Sequence, residues 1–264
     1  MTASKPEAGW DVIVAPWHLD EHIPAFPAPA DAGETICPSL PAGGQLDRMR
    51  LLYQALADAT ARAARPLQLS GDCTTALGAV AGLQRRHDDP AVAWLDGHGD
   101  FNTPDSTITG YLGGMPLAML TGRAPELICD PLGMRPVADS DVVLIDARDL
   151  DPAERDALAA SRIRRIPAEP SAISTAVRSL EHRPVYLHID VDIIDSSQLP
   201  GLRVPAGTGP GLARIEDCLA SIMASASIVA ACIACTWLPE HINDRTVTKT
   251  ITRLAQALGA QLEW

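Results

Sequence analysis

Two short segments of this chain set acidic and imidazole side chains at spacings that suit a metal ion. Asp96-Gly97-His98-Gly99-Asp100 is a D-x-H-x-D run, and Asp190-Val191-Asp192, with Asp195 three residues on, is a D-x-D. Each follows directly on an apolar, strand-like stretch, AVAWL at 91–95 and VYLHI at 185–189. Alternate side chains of an extended backbone project to the same side, so Asp96, His98 and Asp100 converge at one strand end and Asp190 and Asp192 at another. Alone, a strand-terminal D-x-D most simply caps the turn that follows. Together, four carboxylates without a cation would repel one another and resist desolvation, and some would have to be protonated to coexist. The combination predicts a metal site. Four carboxylates and one imidazole are hard ligands that suit Mn²⁺ or Mg²⁺ better than a structural zinc, although Zn²⁺ or Ni²⁺ is compatible with the set. This many carboxylates can hold two ions, and two divalent ions about 3.5–4 Å apart can share a water and make it a nucleophile near neutral pH. Hydrolysis is the expected reaction class.

The elements that must position these residues are legible as an alternation. Candidate strands are Asp11 to Trp17, Pro66 to Leu69, Ala91 to Leu95, Val142 to Ile145, Arg164 to Pro167, Val185 to Ile189 and Ile228 to Trp237. Segments of helical character lie between them: Leu46 to Ala64, Thr74 to Arg86, Pro152 to Ser161, Ser171 to Leu180, Leu212 to Ser225 and Arg245 to Leu258. Continuously apolar rather than alternating strands imply a sheet covered on both faces, hence an α/β fold, a three-layer α/β/α arrangement with a mostly parallel sheet. No linker divides the chain, so residues 1–264 are read as a single domain, with the Pro-rich stretch Ile23 to Pro41 as an irregular surface segment. In such a sheet, function collects at the carboxyl ends of the strands.

Composition narrows the partners. Lys+Arg number 21 against Asp+Glu 33, a formal net charge of −12, and no basic run is present, which argues against nucleic acid or an anionic membrane surface. No apolar run approaches the roughly 18–20 residues of a membrane span, and MTASKPEAGW lacks a signal-peptide core, so a cytoplasmic location is expected. Six cysteines are scattered, and the C-x-x-C of Cys232 and Cys235 sits inside the apolar run IVAACIACTW, where it reads as buried strand rather than a redox or zinc motif. His18, His22, His87, His182 and His241 have no ligand spacing and are expected to be surface or core residues, and His188 to be a strand histidine turned away from the ligands.

WLDGHGDFNTP (94–104) and HIDVDIID (188–195) resemble the two signature segments of the arginase, or ureohydrolase (amidinohydrolase), family. SGDC (70–73) resembles the family's GGDH after an earlier strand, and ARDLDP (147–152) its substrate-binding loop. The resemblance runs in order along nearly the whole chain. It implies a binuclear manganese hydrolase with an arginase-like fold, metal ligands at Asp96, His98, Asp100, Asp190 and Asp192, and a sixth ligand at Cys73, where the family has histidine. Asn102 and Thr109 fall where arginases hold the substrate α-carboxylate and Asp151 where they hold the α-amino group, which implies a small-molecule amino-acid substrate. Asp100 is implied as the catalytic carboxylate that ligates metal and helps carry a proton to the leaving amine. Family members are often trimers or hexamers; this sequence names no interface and leaves a homo-oligomer and a monomer both open.

Three positions depart from that pattern. A thiolate at Cys73 suits Mn²⁺ poorly and Zn²⁺ or Fe²⁺ better, so the expected content is two ions, or one where Cys73 weakens the first position. Gly113 stands where arginases carry a histidine thought to shuttle protons, and Thr236 where a glutamate pairs with guanidinium. A less basic distal group would tolerate the loss of that acid. TGYLGGM (109–115) together with DGHGDFNTP resembles the branch that hydrolyses Nω-hydroxy-L-arginine to hydroxyurea and ornithine in antibiotic biosynthesis, and this is the leading expectation. The same departures also fit a ureohydrolase-fold protein that binds an amino acid or a single metal without hydrolysis, and a one-metal deacylase is the third reading.

Overall fold

Short, continuously apolar segments separated by amphipathic helices can hide both faces of each strand only by stacking in parallel. The computed structural model describes residues 9–86, 90–180 and 183–264, so that His87 and His182 lie outside the described residues. Its main sheet contains β1 (Asp11–Ala15), β2 (Glu34–Thr35), β3 (Pro66–Ser70), β4 (Ala91–Asp96), β5 (Val142–Asp146), β6 (Arg164–Ile166), β7 (Val185–Asp190) and β8 (Ile228–Ala234). The strand order is β2-β1-β3-β8-β7-β4-β5-β6, and every strand pairing within this sheet among the described residues is parallel. The strands expected from the sequence are all present, and the C-x-x-C lies buried on β8 and just beyond it.

Helices α1 (Gln45–Arg62), α2 (Ala76–Gln84), α3 (Pro116–Leu120), α4 (Cys129–Leu132) and α5 (Pro152–Ala160) precede α6 (Pro170–Val177), α7 (Leu212–Ser225) and α8 (Arg245–Ala257). Alternate strand residues feed two separate cores. Ile13, Val92, Trp94, Leu144 and Tyr186 pack with α1 to α5, whereas Val12, Leu69, Leu95, Ile145 and Leu187 pack with α6 to α8. The result is a three-layer α/β/α architecture.

The segment Ile23 to Pro41 departs from its irregular reading. Glu34–Thr35 pairs with β1 as the edge strand, held by Gly33 N–H to Val12 O (2.9 Å) and Ile36 N–H to Val14 O (2.8 Å). Trp17–His18 and Glu21–His22 form a small antiparallel ribbon beside it. A two-residue strand carries no side-chain period, so the pattern could not reveal it. β1 itself stops at Ala15 because Pro16 has no N–H to continue a ladder.

Register sets the functional end. Ala234 of β8 is level with both Ser70 of β3 and Asp190 of β7, and Leu95 of β4 is level with Ile189 of β7. Four central strands therefore end together, and the residues just beyond them meet. The turn at Cys73–Thr75 that follows β3 is anchored by α1 and α2, with Tyr53 of α1 hydrogen-bonded to Thr74. That anchor depends on close helix packing: a Cβ at Gly82 would lie 2.5 Å from Ala57 O and 2.7 Å from Thr60 Cβ. Gly82→Ala is expected to lower stability by about 1–2 kcal/mol despite alanine's better helix propensity. Urea unfolding checks this, and a midpoint that is unchanged or raised would mean that α1 and α2 part without cost.

Candidate metal centre

The D-x-H-x-D run leaves β4 at Asp96, and the D-x-D leaves β7 at Asp190 as a 3₁₀ turn over Val191–Ile193. Backbone amides at these turns fix the carboxylates. Asp96 accepts from His98 N (2.7 Å) and from Trp94 Nε1 (3.0 Å). Asp192 accepts from Gly97 N (3.0 Å), which ties the two strand ends together, and its other oxygen lies 2.8 Å from His98 Nδ1. Asp190 accepts from Asp192 N (2.9 Å) and from the Cys73 thiol (2.7 Å). Asp100 adopts a left-handed backbone, φ +51°, a conformation that Asp tolerates better than most residues, and its buried Oδ2 has no hydrogen-bond partner. A left-handed backbone and an orphaned buried carboxylate oxygen at one residue make Asp100 a candidate functional position.

Two triads of potential ligand atoms result, each lying within 4.8 Å: Cys73, Asp96 and Asp100, and Asp96, His98 and Asp192. Asp96 belongs to both. Cys73 Sγ on Asp190 brings the remaining carboxylate into the same cluster. Asp195 does not join it, because its carboxylate is turned to the surface, where it accepts from Ser197 N and Gly209 N (both 2.9 Å). His188 also stays outside, for a reason other than the expected one. It shares a sheet face with Trp94 and Tyr186, stacked on Trp94 with ring centroids 3.7 Å apart, and depth inside the strand rather than alternation separates it from the cluster.

Electrostatics argue that this cluster is built for cations. Burial first, and the neighbouring carboxylates next, raise the pKa values of Asp96 and Asp100 well above the usual carboxylate range and push Asp190 up to about 8. Burial works against protonation of His98, but the bond and charge of Asp192 outweigh it and lift the imidazole to about 9. Cys73 is raised likewise by burial and then by Asp190, Asp100 and Asp96. Among the described residues, His98 is the only cationic side chain paired with these carboxylates. The donor set of four carboxylates, one imidazole and one thiol, with an unsatisfied oxygen in its midst, fits one or two divalent ions.

Above the cluster lies a pocket of about 260 Å³, a size for a metabolite rather than a polymer. Cys73, His98, Asp100, Asp190 and Asp192 of the cluster are part of its lining. Asn102, Thr109, Asp151 and Thr236 all reach the same pocket, and Thr236 Oγ1 stands 3.5 Å from Asp190 Oδ1. Asn102 Nδ2–H donates to Asp151 Oδ2 (3.1 Å), so the two groups expected to hold opposite ends of an amino acid's charge pair are already side by side. Asp151 also begins α5, where it precedes Pro152 at the first helical position. Glu154, not singled out from the sequence, braces this wall. It accepts from Phe101 N (2.8 Å) and from Asp151 N (3.3 Å), and the D-P-A-E spacing of a capping box was its available signal. Arg148 ties the loop before Asp151 to the β7 end through Asp192 O and Ile193 O (both 3.1 Å). Asp72 and Tyr111, which lie within SGDC and TGYLGGM but carry no role in the sequence reading, line the pocket as well.

The raised groups have a thermodynamic consequence. Asp96, Asp100, Asp190 and His98 hold protons more tightly in the folded chain than in the unfolded one, so their contribution to stability falls as pH rises from the unfolded values through the folded ones. The buried His18 and His188, which are lowered, contribute in the opposite sense only below about pH 6.5. With a chelator present, the melting temperature should therefore drop between about pH 6.5 and 8.5, and added Mn²⁺ should flatten that slope. A chelated protein equally stable across this window would show that the cluster does not hold its protons.

A sequence model of the arginase family matches residues 22–257. The Nω-hydroxy-L-arginine amidinohydrolase of Streptomyces lavendulae is 34% identical over 147 residues, 55% of this chain and 52% of that protein. The arginase of Staphylococcus aureus (strain MRSA252) is 32% identical over 146 residues, 52% of this chain and 48% of that protein. The chain thus spans about half the length of the curated relatives it matches. The crystal structure of arginase from Bacillus cereus superposes with a TM-score of 0.82 at 22% identity, over 95% of this chain and 98% of that one, a likeness of fold. A family match over most of the chain, on a sheet whose central strands end at the carboxylate cluster, establishes that this chain belongs to the arginase family.

Proposed function

We propose that this chain is a metal-dependent amidinohydrolase acting on the distal C–N group of an arginine-like amino acid, with Nω-hydroxy-L-arginine as substrate and hydroxyurea and ornithine as products. The observation that carries this reading is the sharing of Asp96 between two ligand triads at the floor of a pocket whose wall holds Asn102, Thr109 and Asp151. Cys73, Asp96, Asp100 and Asp190 would hold one ion, and Asp96, His98, Asp190 and Asp192 a second, with Mn²⁺ favoured by the carboxylates. When bound, such ions supply the positive charge that makes water nucleophilic near neutral pH and that offsets negative charge developing at the attacked carbon.

The chain's own residues account for the remainder. Asn102 and Thr109 donate hydrogen bonds to an α-carboxylate, and Asp151 accepts from an α-ammonium, so the substrate's distal group is held at the metal end of the pocket. Asp100, with an unpartnered carboxylate oxygen, takes up the proton released as water attacks and returns it to the departing amine nitrogen. Thr236 offers a hydroxyl where a carboxylate would reward a full cation, which favours a hydroxyguanidine over the more basic guanidine. Cys73 also keeps a second reading in view, binding of an amino acid or a single metal without hydrolysis.

A product assay over L-arginine, Nω-hydroxy-L-arginine and shorter guanidino acids, with Mn²⁺, Zn²⁺ or Fe²⁺ added, tests the activity. Hydroxyurea should form faster than urea, and release of neither from any of them would leave only the binding reading. Elemental analysis of Cys73→His tests the ligand set. Its Mn²⁺ content should rise from about one towards two ions per chain, as imidazole replaces a thiol that suits Mn²⁺ poorly. An unchanged content would remove Cys73 from the metal site.

A further inference from the structure

The missing side chain at position 113 leaves space that another residue fills. A Cβ built on Gly113 would lie 2.3 Å from Tyr111 Cε1 and Cζ and 2.4 Å from its Oη, so the tyrosine ring lies directly over the glycine and requires it. The ring is held there from behind. Tyr111 Oη is 3.4 Å from His18 Nε2, the two rings are stacked with centroids 5.9 Å apart, and His18 Nδ1 lies 3.9 Å from Asp72 Oδ2. His18 is 4% exposed, and its buried Nδ1 makes no hydrogen bond of normal length, with Asp72 Oδ2 at 3.9 Å and the Gly71 backbone as its polar neighbours. Asp72 is itself fixed by Leu19 N and by Thr74 N (2.6 Å) and Oγ1. Phenol, imidazole and carboxylate thus form a line from the pocket wall inwards, built from three separated parts of the chain.

Tyr111 borders the same cavity as Cys73, Asp100 and Asp190, and those groups are among the charged neighbours that act on its phenol. Burial, reinforced by the charges of Asp72, Cys73, Asp100 and Asp190, raises Tyr111 far above the ordinary phenol value and keeps it protonated. Burial likewise lowers His18, against the pull of Asp72, and keeps the imidazole neutral. The tautomer that suits these neighbours puts the proton on Nδ1, towards Asp72, so that Nε2 accepts from the tyrosine hydroxyl. In that tautomer the phenol proton is engaged by His18, and the hydroxyl oxygen keeps lone-pair capacity to accept a further hydrogen bond without carrying charge.

We propose that Tyr111 is a specificity-determining residue whose hydroxyl oxygen accepts a hydrogen bond from a hydroxyl-bearing, uncharged amidine nitrogen, with His18 and Asp72 as positioning residues. The assignment rests on the amidinohydrolase reading and deepens it. Thr236 and Tyr111 are both neutral, so these two side chains offer hydrogen bonds but no formal charge; the Asp72 carboxylate borders the same cavity, with its oxygens bonded to Leu19 N and Thr74. A guanidinium gains little from the two neutral groups relative to a carboxylate in their place, whereas an N–OH donor finds a fixed oxygen.

Tyr111→Phe keeps the ring and removes the acceptor; His18→Phe removes its support while Asp72 retains its other bonds. In the metal-loaded protein, Tyr111→Phe should lower kcat/KM for Nω-hydroxy-L-arginine about fivefold to tenfold more than for L-arginine. His18→Phe should reproduce part of that change, and the double variant should be no worse than Tyr111→Phe, as expected for residues acting through one contact. Independently of turnover, the ¹⁵N resonances of the His18 ring should shift on Tyr111→Phe. An unchanged preference in a folded Tyr111→Phe protein, additive losses in the double variant, or an unmoved His18 signal each overturns the assignment and leaves the amidinohydrolase reading standing. No product from either acid with the unsubstituted protein overturns that reading and the assignment with it.

Discussion

Four carboxylates brought to the ends of neighbouring parallel strands and then buried are the constraint around which this molecule is arranged. Backbone and side-chain donors answer most of it. Amides of Gly97, His98 and Asp192, the Trp94 indole and the Cys73 thiol each occupy a carboxylate oxygen. These bonds fix direction but carry little charge. His98 is the one paired cation among the described residues, and it cannot balance four acids. The remaining imbalance appears as carboxylates raised far above their usual range and as an orphaned oxygen on Asp100. Such a cluster either keeps protons or takes up cations, and the geometry of the strand ends favours the second.

The walls above the cluster are held by groups that do not touch it. Arg148 pins the loop before α5 to the end of β7, and Glu154 joins α5 to the backbone at Phe101. Asn102 and Asp151 are placed side by side by these braces rather than by their own sequence neighbours. A one-residue change in the length of either loop would separate them. The proposed selectivity at the other end has the same origin, because Tyr111 can lie where it does only over a residue without a Cβ and only against the ribbon that carries His18.

Much of this was legible in the sequence, for a physical reason. The two-residue spacing of D-x-H-x-D and D-x-D directly after apolar runs marked each as a group of acids leaving one strand end, although the structure brings them together through turns beyond Asp96 and Asp190 rather than through continued strand. Continuous apolarity likewise required a parallel sheet covered on both faces. Cys73, Asn102, Thr109, Asp151 and Thr236 became visible only through the order of segments along the chain, since each alone is indistinguishable from turn chemistry.

Tertiary structure decided what spacing could not. Strand order placed β8 between β3 and β7 and so brought Cys73 and Thr236 to Asp190 from 117 and 46 residues away. It turned Asp195 out to the surface although its sequence neighbours point in, because the chain leaves the strand before reaching it. It gave His18, which has no ligand spacing, and Gly113, which has no side chain, a shared part in shaping the pocket. Local period determines which residues leave a strand end together. Which strand ends meet, and what fills the space between them, depends on packing over the whole sheet and cannot be read from any one segment.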